Sequence, residues 1–250
     1  MPMKRLSLLT VLMSMACPAF AQEIRCPGAY GGHLQGVAAD ANGNIYWSFT
    51  LALVKTDAQG KLLKKTTVPA HHGDLWTDGN TVYAAVNHPA PSGGPGARDS
   101  YICAYRTDDL SLLWKKAIPE VVHGAGGIAM RDGHFFVVSG RLLKSQDEND
   151  IYEYDADGVF IKRHVLESGH THLGIQTMAY ADDAWWFGCY GDPPETLRAS
   201  EDLTFQQRFA YDCTLGIAPI PGGGFYIGRG DKNEERQHTG WVIKIDRLLP

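Results

Sequence analysis

The side chains in this chain best suited to chemistry are its histidines, and they are clustered. Six of the ten fall in or beside five short stretches that look like variants of one another. These read His33-Leu34-Gln35-Gly36-Val37, His71-His72-Gly73-Asp74-Leu75, His123-Gly124-Ala125-Gly126-Gly127-Ile128, His172-Leu173-Gly174-Ile175-Gln176-Thr177-Met178 and Cys213-Thr214-Leu215-Gly216-Ile217. Imidazole titrates near neutral pH, so a histidine at a ligand site can serve as general base or acid. His72, His123 and His33 are the expected catalytic groups. Neutral imidazoles from several segments can also hold a divalent metal, which makes His33, His72, His123 and His172 candidate ligands, with Asp74 or Asp212 as an oxygen donor. No pair has the helical i, i+4 or CxxC-type spacing that would specify a metal by motif. His71 and His72 point to opposite sides of an extended chain, so one of them reaches a common site, and His72 is the expected one.

Around these imidazoles, Gln35, Asp74, Gln176, Arg229 and Asn87 are expected to hold and orient a substrate, with Asp74 tuning a histidine. Nucleophilic catalysis has less support, since there is no Gly-x-Ser-x-Gly elbow and Cys213 is the one thiol placed near the stretches. Asp74 and Asp212 are the obvious pair for carboxylate-based glycoside hydrolysis.

The elements that must position these residues are strands. Amphipathic helical spacing is nearly absent. Short runs rich in Val, Ile, Tyr, Phe and Trp alternate with Asp-Gly and Gly-rich turns instead. Each marked stretch starts a unit of about 46 residues with four strands, and there are five such units. The last stops one strand short at Pro250, and Ile24 to Tyr30 can supply the missing strand. The chain therefore reads as an all-β, five-bladed β-propeller of four antiparallel strands per blade, its last blade closed by the N-terminal strand. A β-sandwich accounts for short strands equally well but predicts no such repeat.

In a propeller, loops entering first strands and loops leaving second strands open on one face. That geometry gathers the histidine stretches at one mouth of the axis, with the second-strand ends Asn87, Arg141, Asp192, Arg229 and Asp231. The long connections 88–99, 141–150, 191–196 and 229–239 open there as well, whereas the opposite face has mainly short turns. The glycines of the stretches are expected to let crowded inner strands approach. Tyr46, Trp47, Tyr83, Phe135, Phe136, Trp185, Trp186, Phe225 and Tyr226 are expected to fill space between blades.

Residues 1–21 read as a signal peptide, with Lys4 and Arg5, an apolar core from Leu6 to Ala16, and Ala19-Phe20-Ala21 as the cleavage site. This leaves 22–250 as a single domain, expected to be periplasmic or secreted, with no transmembrane segment. Without Lys4 and Arg5, 21 basic residues face 28 acidic ones, a net charge of −7 that disfavours nucleic acid as a partner. The expected state is a monomer that binds a small-molecule or oligosaccharide ligand. Cys26, Cys103, Cys189 and Cys213 remain, and disulfides and buried thiols are both open readings.

The run Gly36-Val-Ala-Ala-Asp…Asn-Gly-Asn-Ile-Tyr…Leu-Val-Lys-Thr-Asp-Ala-Gln-Gly-Lys-Leu resembles blades of NHL-type and gluconolactonase-type propellers. Leu34-Gln35-Gly36, in a five-bladed exported chain, is also similar to the plant/bacterial type of glutaminyl cyclase. The resemblance covers the whole mature chain and implies the fold. Gluconolactonase-type sites use acidic and asparagine metal ligands where this mouth offers histidine and glutamine. The cyclase type has acidic residues at first-strand starts where this chain has His71-His72-Gly73, His123-Gly124 and Gly174-Ile175-Gln176. The functional expectation is therefore a hydrolase or lyase for a small sugar derivative, lactone or ester, working by histidine acid/base chemistry with or without a divalent metal. The alternative is a non-catalytic propeller that binds a ligand or protein through the same face.

Overall fold

A computed structural model describes residues 23–90, 98–140 and 148–248. The expected signal peptide, Arg141 and the central parts of the 88–99 and 141–150 connections lie outside the described residues. The twenty strands are β1 (Glu23–Tyr30), β2 (Leu34–Ala39), β3 (Ile45–Phe49), β4 (Ala52–Thr56), β5 (Leu62–Thr67), β6 (His72–Thr77), β7 (Thr81–Pro89), β8 (Arg98–Arg106), β9 (Leu112–Ala117) and β10 (Ala125–Arg131). They continue with β11 (His134–Ser139), β12 (Asn149–Tyr154), β13 (Phe160–Leu166), β14 (His172–Ala181), β15 (Ala184–Tyr190), β16 (Glu195–Ser200), β17 (Phe205–Phe209), β18 (Ile217–Pro219), β19 (Phe225–Lys232) and β20 (His238–Ile245).

They form five four-stranded sheets. Four are consecutive meanders: β2–β5, β6–β9, β10–β13 and β14–β17. The fifth has the order β1-β20-β19-β18, so the N-terminal strand is its outer edge, pairing Ile24 with Val242 and Cys26 with Gly240. The molecule is a five-bladed β-propeller in which one blade is built from both ends of the chain.

The turns explain the recurring Asp residues. Asp40 Oδ1 accepts the backbone N–H groups of Asn42 and Asn44, each at 2.9 Å. Asp155 does the same for Asp157 at 3.0 Å and Val159 at 2.8 Å. A carboxylate that ties down the loop after a strand directs the chain back antiparallel.

Outer strands such as β5 and β9 are largely exposed, and the cores lie between blades. Trp47 and Phe49 pack with Tyr226 and Val242 across the first and fifth blades. Phe136 and Val138 pack with Trp185 and Phe187 across the third and fourth. The two central indoles keep their polar edges satisfied: Trp47 Nε1 donates to Thr56 Oγ1 at 3.0 Å and Trp185 Nε1 to the Glu201 carbonyl at 3.1 Å.

At the axis the innermost strands come too close for side chains. A Cβ on Gly73 would lie 2.5 Å from the Gly126 carbonyl oxygen, and one on Gly126 would lie 2.8 Å from that of Ile175. These glycines are architectural.

Candidate functional site at the axial mouth

The inner strands do not run regularly into the mouth. β2 has two residues from Leu34 to Gly36 where β3 has one from Phe49 to Ser48. Similar irregularities interrupt β6 between His72 and Leu75, β10 between Ala125 and Ile128, and β14 between His172 and Thr177. A bulge re-aims the side chains around it. Here the bulges turn polar groups into a cavity of about 310 Å³ lined by Gln35, His71, Asn87, Arg98, His123 and Gln176, among glycines and alanines. No Asp or Glu lines it among the described residues. The opposite end of the axis is an apolar recess of about 220 Å³ with Trp76, Met178, Tyr180 and Ile217 on its walls.

The centre of the site is an amide between two imidazoles. Gln35 Nε2 lies 2.8 Å from His33 Nε2 and 3.0 Å from His71 Nε2, with Thr50 Oγ1 at 3.3 Å. An amide NH₂ has two protons to donate, so this orientation makes both Nε2 atoms acceptors and puts each ring proton on Nδ1. Electrostatics agree with neutral rings. Burial, then the nearby His71, His238 and Lys232, pull the His33 pKa down to about 4. Burial, then the Arg98 charge, also lowers that of His71. Tyr190 Oη approaches His33 Nε2 at 3.4 Å, and the His238 ring lies 5.8 Å from the His33 ring.

The rest of the lining is held by its own backbone contacts. Asn87 Nδ2 donates to the Ala125 carbonyl at 3.0 Å, tying the second blade to the third. Gln176 Nε2 donates to the Leu173 and Gly174 carbonyls at 3.1 and 3.3 Å, leaving its own carbonyl for a ligand. Arg98 closes one side, its backbone N–H bound to the Val122 carbonyl at 3.1 Å. His123 is exposed at the rim.

Several expected positions are corrected by the structure. His71, and not His72, lines the cavity. His72 is 1 % exposed inside the second blade, between the Pro69 carbonyl at 2.8 Å and Tyr105 Oη at 2.6 Å, and burial lowers its pKa to about 4. Asp74 is fully buried below the floor, where its Oδ2 accepts the Met178 N–H at 2.9 Å, and it makes no hydrogen bond to a histidine among the described residues. Arg229 turns to the Gly228 carbonyl at 2.8 Å and lies over the Tyr211 ring, away from the cavity lining. His172 is exposed on the fourth blade and is not part of the lining. Asp212 caps the turn at Thr214, with its N–H at 2.9 Å, so it makes no carboxylate pair with Asp74.

Among the described residues no three His, Cys, Asp or Glu side chains converge so as to hold a metal ion. The set His33, His72, His123 and His172 is dispersed, and the donor groups do not fit the divalent metal. All four described cysteines are free and buried. Burial, eased by a Thr196 hydrogen bond, pushes the Cys213 thiol up to about 12, which removes it as a nucleophile.

Arg98, His238, Tyr190 and Thr50 are the residues that sequence reasoning missed. His71 was one of two alternatives, and Arg98 lies in the 88–99 connection already marked for the mouth. Two of the remaining histidines have a separate structural role: His134 Nδ1 and His164 Nε2 hold the two oxygens of buried Glu153 at 2.7 and 2.6 Å.

No family model matches this sequence, and no curated protein matches it either. Solved structures do share the fold. Bacteroides ovatus Xyloglucan PUL GH43B aligns with a TM-score of 0.60 at 10 % identity, over 89 % of this chain and 54 % of that one. A protein of unknown function from Bacteroides caccae aligns with a TM-score of 0.51 at 15 % identity, over 90 % and 94 % of the two chains. A gluconolactonase from Xanthomonas campestris aligns with a TM-score of 0.50 at 12 % identity, over 84 % and 72 %. This chain spans just over half of the first of these. At such identities the likeness establishes the propeller and its kinship in fold to gluconolactonase-type propellers; it carries no activity.

Proposed function

We propose that this protein is an exported hydrolase or lyase that acts on a small sugar derivative, lactone or ester bound at the axial mouth. The observation that carries this reading is the convergence of six polar side chains from four blades on one cavity, with the neutral imidazoles of His33 and His71 at its centre and the His123 ring at its rim. In the hydrolytic version, Gln35, Asn87 and Gln176 orient the hydroxyls and carbonyl of the ligand. His123, which makes no side-chain hydrogen bond among the described residues, takes a proton from water as it adds to the carbonyl carbon. The same proton returns to the leaving oxygen as the C–O bond breaks, and Arg98 faces the negative charge that forms in between. The gluconolactonase fold neighbour is in keeping with such a substrate but does not carry the argument.

A second reading is ligand binding without turnover. It is favoured by the Gln35 amide, whose protons occupy the Nε2 lone pairs of both His33 and His71. Acid release from a panel of sugar lactones and aryl esters, with binding followed by calorimetry, separates the two. The catalytic reading expects turnover that falls by about 10²-fold or more in His123→Ala while binding persists. Binding without turnover across the panel leaves the second reading.

A further inference from the structure

The mouth differs in charge from the rest of the molecule. The whole chain is acidic, with 28 Asp and Glu against 23 Lys and Arg. Its axial cavity nevertheless has Arg98 as the one charged side chain among the described lining residues, and no carboxylate. The Arg98 guanidinium makes no hydrogen bond or ion pair among the described residues, in contrast to Arg131 and Arg208, which are bound to Glu201 and Glu195. Arg98 is exposed, so water solvates its guanidinium in the free protein, and an anionic ligand in the cavity would replace that water with charge-assisted hydrogen bonds.

The neighbouring groups reinforce this. Gly124, with φ of +96°, packs against the stem of Arg98, where an added Cβ would lie 3.1 Å from its Cγ and 3.2 Å from Asn87 Cγ. A larger residue there would push the Arg98 and Asn87 side chains aside. His71 adds its ring to the same wall, with Nε2 held by the Gln35 amide at 3.0 Å and Nδ1 buried behind it. Lys232 adds positive potential near His33 on the fifth-blade side. The amides of Gln35, Asn87 and Gln176 supply the neutral hydrogen-bonding groups that sugar hydroxyls require.

Resting on the function proposed above, we infer that the ligand of the axial mouth is a sugar derivative bearing a free carboxylate, of the uronate or aldonate class, with its carboxylate on Arg98. Neutral sugars of the same size fill the cavity but leave the guanidinium unpaired.

Calorimetric titration of the full mature chain with glucuronate, galacturonate and gluconate, each beside a neutral partner (methyl glucuronate, methyl galacturonate and glucose), tests this. The expected result is binding of at least one anion about tenfold or more tighter than its neutral partner, the size of one lost charge-assisted contact. Arg98→Gln should abolish that preference and Arg98→Lys should retain part of it, with both variants keeping the wild-type circular dichroism spectrum. Absence of binding by all three anions at millimolar concentration overturns the inference, as does equal affinity for the neutral partners or a preference that survives Arg98→Gln. Lactone turnover by the same preparation is read separately, so the anion preference can fail while catalysis stands, and the reverse.

Discussion

The carboxylate of Asp74, on the inner strand of the second blade, accepts the backbone N–H of Met178, on the inner strand of the fourth, at 2.9 Å across the propeller axis. The side chain is fully buried, with the peptide groups of Leu75, Ile128 and Val37 nearby, and its Oδ1 has no hydrogen-bond partner. Inner strands of four blades therefore meet at one carboxyl group. It separates the polar mouth, lined by Gln35, Gly73 and Gln176, from the apolar recess lined by Val37, Leu75 and Met178.

Asp74→Ala should cost about 2 kcal/mol of stability, because it leaves the Met178 N–H buried without an acceptor. Burial dominates its titration and raises the pKa well above 3.8, against the opposing pull of the N–H groups. The folded state thus holds this proton more tightly than the unfolded chain. Its stabilising contribution is complete below the unfolded value of 3.8 and is lost as pH rises through the folded pKa. Urea unfolding of the wild type and Asp74→Asn across pH should show this component in the wild type only.

His72 should behave as a core residue. Its folded pKa of about 4 lies below the ordinary 6.5, so burial of the neutral ring stabilises the fold above pH 6.5 and this is lost as pH falls towards 4. The loss is on the order of 3 kcal/mol. His72→Ala should lower the melting temperature and leave ligand affinity within about twofold of wild type. A large loss of affinity with unchanged stability would contradict the placement beside Tyr105.

Gln35→Glu tests the neutral-imidazole floor. A carboxylate between His33 and His71 would draw protons onto both rings and raise their pKa values. Nuclear magnetic resonance titration should show the His33 shift move from about 4 towards or above 6.5. The new charge should also weaken anion binding next to Arg98. In the wild type, a proton taken up on His33 would strengthen anion binding as pH falls towards 4, with His71, Arg98, His238, Lys232 and Tyr190 as the charged and titratable groups facing it.

Deleting residues 22–30 removes β1 and leaves β20 as an open, unpaired edge. The truncated chain should unfold at lower urea concentration and self-associate, as read by light scattering. A monomer of unchanged stability would mean that closure through β1 contributes little.

Much of the fold was legible in the sequence because propeller blades are local. Each blade is a meander of adjacent strands, so the repeat, the Asp turns and the missing last strand are all visible in one dimension. The face of the site was legible for the same reason: the order of strands within a blade decides which loops open together. The choice of side chains was not. Alternation showed that one of His71 and His72 would face the site but did not say which, and the fold put His71 on the cavity wall and His72 against Tyr105. Asp74 looked like a site residue because its type and position suited chemistry. Only the convergence of strands on the axis shows that its carboxyl is buried there, with one oxygen held by the Met178 N–H. Arg98 carried no motif, and what marks it is the lack of a partner for its charge among the described residues. Sequence determined the architecture and the end of the axis where polar side chains gather; tertiary structure decided which of them line the cavity there, because burial and hydrogen-bond satisfaction depend on contacts between blades.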